Sequence, residues 1–148
     1  MKRHQSLYKF SREHHDGLIL AQLLKKDAPE YKGLPRAPHE KRAYAVSFFK
    51  NELTKHFKAE EEILFVMANG RNARLNTLTA ELIFQHQTLA ANFKLIELEN
   101  ENYIRIMDET GYLLEQHIRL EEREYFPLVQ EELSEEELAE LEKKLIQK

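Results

Sequence analysis

Three observations predict an all-α fold for this 148-residue chain, an up-down-up-down four-helix bundle with a short extra C-terminal helix. Four long segments carry apolar residues at steps of three and four, and strand-like alternation is nowhere sustained. Gly and Pro number only four each, and the glycines do not mark hairpins. Apolar stripes on four helices are buried most easily against one another. The length suits one domain over residues 1–148, large enough to bury roughly 70% of the surface of its unfolded form. The bundle is expected over about residues 7–127 and the last helix over 134–147.

The first helix is expected from Leu7 to Lys26, with Leu18, Ile19, Leu20, Leu23 and Leu24 making much of it apolar. His14 and His15 lie in its middle. Pro29, Gly33, Pro35 and Pro38 then mark a long surface loop from Asp27. A second helix from His39 to Met67 aligns Phe49, Leu53, His56, Glu60, Ile63 and Met67, and Asn69-Gly70 is its stop. The third, Leu75 to Leu98, runs Leu75, Leu78, Leu82, His86, Leu89, Phe93 and Ile96 along one stripe. After a short polar connection at Glu99 to Asn102, the fourth runs from Tyr103 to Tyr125 with Ile106, Leu113, His117 and Leu120, and Pro127 is expected just past its regular part. Ser134 to Glu137 reads as a capping box for a last helix packed on the surface.

Composition narrows the chemistry. With no Cys there is no disulfide, thiolate site or thiol nucleophile, so a metal would have to be held by His and carboxylate. A net charge of −4 with mixed signs offers no basic face for nucleic acid. No window reaches the ~20 apolar residues of a membrane span, and no signal-peptide core is visible, which makes the cytoplasm the default location.

The motif that organises the chain is His56-Phe-Lys-Ala-Glu60, which recurs 61 residues later as His117-Ile-Arg-Leu-Glu121. Residues four apart share one helix face, so each pair offers an imidazole and a carboxylate to one point. The likeness extends to a doubled Glu and a closing aromatic, Phe65 and Phe126. His86 interrupts an apolar stripe, where an unpaired imidazole is costly to bury. His86 or His117 alone is better read as a satisfied core residue; the coincidence of His56, His86 and His117 on inward stripes with Glu60 and Glu121 favours a dinuclear metal centre. Two divalent ions would offset two buried carboxylates, with four neutral imidazoles completing the shell. Glu61, Glu62 and Glu122 are expected in solvent, since successive helix residues diverge by about 100°. For the first helix, periodicity does not separate His14 from His15. A parallel between His15-Asp-Gly-Leu18 and His86-Gln-Thr-Leu89 favours His15.

A single His, then His-x-x-x-Glu, a single His, then His-x-x-x-Glu-Glu with an aromatic-Pro, on four successive helices, resembles the hemerythrin-like (HHE cation-binding) domain from about Ser11 to Pro127. The resemblance implies a bundle around two iron ions, an oxo- or hydroxo-bridged di-iron centre, with Glu60 and Glu121 bridging and His15, His56, His86 and His117 as nitrogen ligands. Oxygen-carrying members have His-x-x-x-His on the third helix, where this chain has Ala90, and Asp five residues after the fourth-helix His, where Glu121 here is four after His117. The chain therefore looks more like the bacterial four-His/two-Glu branch. That implies binding of oxygen, nitric oxide or peroxide in sensing, detoxification or iron handling, with enzymatic activity undecided. The alternative is a metal-storage or protein-interaction bundle without redox chemistry.

Overall fold

The computed structural model describes residues 2–98 and 101–147, so Glu99 and Asn100 of the connection expected over Glu99 to Asn102 lie outside the described residues. Those residues form helices and no strand. A 3₁₀ turn, Gln5–Leu7, leads into α1, Tyr8–Leu24. The proline-rich loop follows, with Gly33 at a φ of 81°. Pro38 then opens α2, where its fixed φ suits the first helical turn and its missing N–H costs nothing. Helix α2 spans residues 38–68, and Gly70, at a φ of 79°, turns the chain after it. Helix α3, Ala73–Glu97, begins where the Asn72 side chain accepts from Leu75 N–H, a cap that the apolar pattern did not mark. Helix α4 spans residues 103–132, and α5, Glu135–Ile146, starts at the Ser134/Glu137 capping box.

Two of these helices are not uniformly α. Helix α2 contains π-turns at Phe49–Leu53 and Glu60–Leu64, and α4 contains one at Glu121–Tyr125. Each absorbs one extra residue, with the Glu60 carbonyl accepting from Phe65 N–H and the Glu121 carbonyl from Phe126 N–H. In an unbroken α-helix, residues nine apart point to opposite faces. The added residue instead turns Phe65 inward together with His56, and Phe126 inward together with His117; all four are buried.

The π-turn also explains why α4 passes Pro127, contrary to the expected end near Tyr125. Proline cannot donate to the Glu122 carbonyl five residues back, and the Arg3 guanidinium donates to it instead, at 2.6 Å. The terminal helix departs from expectation as well, since Leu138, Leu141 and Leu145 join the core instead of resting on the surface. Helix α5 sits against the Gln5–Leu7 turn and the Glu60–Leu64 segment.

Helix α1 packs on α4, α4 on α3, α3 on α2 and α2 on α1. Their shared interior holds two apolar clusters. One, built around Phe10, Leu64, Leu78, Leu82 and Phe126, is closed over by α5; the other holds Leu20, Phe57, Leu89, Phe93 and Leu114. A buried polar layer lies between them. Helices α1 and α4 approach closely at Gly111, where an added Cβ would stand 2.6 Å from the Ala21 carbonyl oxygen. Backbone cannot yield as a side-chain end can, so Gly111→Ala should destabilise the protein by about 1–3 kcal/mol in urea unfolding. Unchanged stability would show that this crossing is looser than described.

Candidate metal centre

The layer between the two clusters consists of His14 from α1, His56 and Glu60 from α2, His86 from α3, and His117 and Glu121 from α4. All six are buried, Glu60, His117 and Glu121 completely. Each carboxylate lies between imidazoles of two helices. Glu121 Oε1 is 3.2 Å from His14 Nε2 and 3.1 Å from His117 Nε2, while Glu60 is 3.4 Å from His56 Nε2 and 3.0 Å from His86 Nε2. Two groups of potential ligand atoms result: His14, His56, Glu60 and Glu121, and, sharing Glu60, His86 and His117.

His15 is not among them. It lies on the exposed face of α1, and His14 occupies the inward position, a correction to the sequence expectation. The inward stripe of α1 runs Leu7, Phe10, His14, Gly17, Ala21 and Leu24, all buried, and steps over His15 altogether. Gly17 hid the stripe because it contributes no apolar side chain.

Every inward imidazole has an outer partner at Nδ1. His14 meets Glu122 at 2.5 Å, His56 meets Glu13 at 2.8 Å, His86 meets Glu61 at 2.6 Å and His117 meets Gln85 at 2.7 Å. Such bonds fix the tautomer and present Nε2 to the centre. Glu61, expected in solvent, is exposed, and its carboxylate also reaches across a helix seam to His86; Glu122, expected there too, is half-buried and reaches His14. Glu13 and Gln85 were not singled out, although each directly precedes a ligand-position histidine, as Glu13-His14 and Gln85-His86. Aromatic rings close the layer: Phe126 stacks on His14 at 5.5 Å and Phe57 on His86 at 3.9 Å.

Among the described residues, four buried side-chain atoms have no hydrogen-bond partner: His56 Nε2, His117 Nε2, Glu60 Oε2 and Glu121 Oε2. His56 Nε2 and Glu60 Oε2 lie 3.4 Å apart, and His117 Nε2 is 3.1 Å from Glu121 Oε1, at ion-pair distance without the alignment of a hydrogen bond. Unpaired polar atoms in an apolar interior are costly. A metal ion removes that cost, and a set of imidazole nitrogens and carboxylate oxygens is the donor chemistry a transition metal takes. The residues therefore fit a metal.

Without metal, protons do part of the same work. Burial opposes charge on His14, but hydrogen bonds to Glu121 and Glu122 outweigh it and hold its pKa up at about 9. Burial likewise opposes charge on His56, and the Glu60 charge with the Glu13 bond raises it to about 10. Burial pushes Glu121 upward, yet the facing His117 and its other partners bring it well below the usual carboxylate range. A raised histidine contributes stability that is complete below its ordinary value near 6.5 and is lost as pH climbs through 9 to 10. The depressed carboxylates contribute stability that is present above about 4.5 and is lost as pH falls. Chelator-treated protein should therefore become easier to unfold in urea between pH 6.5 and 10. With metal the alkaline loss should shrink, because a metal takes the unprotonated nitrogen. Equal alkaline losses with and without metal would contradict this.

No curated protein and no solved structure matches the chain. The family model described as the hemerythrin HHE cation binding domain matches residues 5–129. That span reaches from the turn before α1 into the last turns of α4 and takes in every histidine and glutamate of the buried layer. The chain belongs to the hemerythrin HHE cation-binding domain family.

Proposed function

We propose that the buried layer holds two iron ions through His14, His56, His86, His117, Glu60 and Glu121, and that a small molecule meets them there: oxygen, nitric oxide or peroxide. The observation that carries this reading is the set of four unpartnered buried atoms on otherwise fully bonded side chains. Iron held in this way supplies one-electron chemistry and an affinity for small diatomic ligands. The ligand set corresponds to the bacterial four-His/two-Glu branch, with His14 in the first-helix position. The cyclic packing of sequence-adjacent helices is what an up-down-up-down bundle produces.

The chain's own residues set the conditions. Glu13, Glu61, Glu122 and Gln85 hold the four imidazoles in the tautomer that offers Nε2 inward. Glu60 and Glu121, each placed between two helices' histidines, supply the shared negative charge. Phe57, Phe65 and Phe126 exclude water and lower the local dielectric, which strengthens every interaction inside. Six protein side chains around two ions leave room for an outside ligand. The buried Tyr125 hydroxyl is hydrogen-bonded with Thr79 at 2.7 Å. No helix among the described residues is long and apolar enough to cross a membrane.

Chain loaded with ferrous iron under anaerobic conditions, then mixed with oxygen or nitric oxide in a stopped-flow instrument, should change its visible spectrum with either gas. After oxygen, vacuum should not restore the reduced spectrum in full, as expected of a sensing or detoxifying centre. Full recovery over many cycles would indicate a carrier, and no spectral change with either gas would favour metal storage.

A further inference from the structure

We propose that a neutral diatomic molecule reaches the centre through a cavity between α1, α2 and α4, and that Gly17 is the residue that keeps this route open. The inference deepens the proposed function and rests on it only for what stands at the inner end.

The cavity measures about 30 Å³. On this measure one water needs roughly 10–15 Å³, so the space holds about two such spheres, the size of one diatomic molecule and not of an organic substrate. Its buried lining residues include His14, His56 and His117. Two of the four unpartnered buried atoms, Nε2 of His56 and Nε2 of His117, belong to residues of this lining. The rest of its lining is largely apolar, formed by Phe48, Leu53, Phe57, Leu114 and Ile118. An ion would have to shed its hydration there without replacement, whereas an apolar diatomic gains by entering. Its solvent-reaching lining residues are the carboxylates Glu13, Asp16 and Glu52, with Lys9 paired to Glu13 at 2.6 Å. Three carboxylates at a mouth repel anions.

Gly17 stands in the α1 wall of this space, facing α4. A Cβ there would lie 2.9 Å from Ile118 Cδ1. That atom is the free end of a flexible side chain which also lines the cavity, so even one methyl group at position 17 consumes the space or drives Ile118 into it. A competing groove touches the layer between α2 and α3, near Phe57, His86 and Ala90. There the Phe57 ring lies flat on His86, and both nitrogens of His86 are already bonded. The α2–α3 side is therefore walled, and the α1–α2–α4 side is the one with free nitrogen behind it.

The test reads the route without any reaction at the metal. The full chain, loaded with zinc and labelled at its methyl groups, is placed under oxygen pressure, and paramagnetic relaxation by dissolved oxygen is measured. Methyls of Leu53, Leu114 and Ile118 should relax several-fold more strongly than that of Leu78, which lies in the opposite cluster, or of Ala90. Gly17→Val should remove most of that enhancement at Leu114 with zinc content unchanged. Gly17→Ala should remove part of it, and Gly17→Ala with Ile118→Val, which deletes the opposing Cδ1, should restore it. Strongest enhancement at Ala90, or no effect of either Gly17 variant, overturns the route. A chain that fails to hold zinc yet shows the expected methyl pattern would refute the metal reading while supporting the cavity as a diatomic path.

Discussion

Six titratable side chains buried in the middle of an apolar bundle are the constraint on which the rest of this structure depends. Two carboxylates and four imidazoles cannot be left unpaired at zero to four per cent exposure. The chain answers at three levels. Each imidazole is tied at Nδ1 to an outer group, each carboxylate is set between imidazoles of two helices, and the atoms still unpaired converge where an ion would stand. The division of the core into two apolar clusters follows from this layer.

The layer carries an approximate internal twofold relation. Glu13-His14 corresponds to Gln85-His86, and the pair His56/Glu60 with Glu61 corresponds to His117/Glu121 with Glu122. Both halves place a π-turn directly at the ligand-position glutamate and bring a phenylalanine inward behind it, Phe65 beside His86 and Phe126 beside His14. The two halves differ at one atom type: Gln85 offers His117 an amide oxygen where the other three imidazoles meet carboxylates.

Most of the architecture was legible in the sequence because three/four spacing reports directly on which helix face is buried. The stripe from Leu75 to Ile96 lies in α3 as read, every one of its members buried. Helix α1 was misphased because its inward position 17 is glycine, and an off-by-one alignment of His15 with His86 then looked better than His14. Matching the acidic or amide residue before each histidine would have corrected it. The π-turns were not legible, since nothing in local propensity announces one; the equal nine-residue offsets from His56 to Phe65 and from His117 to Phe126 were their only trace. Pro127 misled for the same reason, because its missing donor is compensated by Arg3 from the far end of the chain.

What ties these features together is the claim that the buried layer is a metal centre built on His14 rather than on its neighbour. Elemental analysis of purified chain after loading with ferrous iron measures this directly, with His14→Ala and His15→Ala compared against the parent. The account gives about two ions per chain for the parent and for His15→Ala, and a clear loss for His14→Ala, as expected when a nitrogen donor of a preformed site is removed. Equal retention by both variants, or a greater loss from His15→Ala, would contradict it.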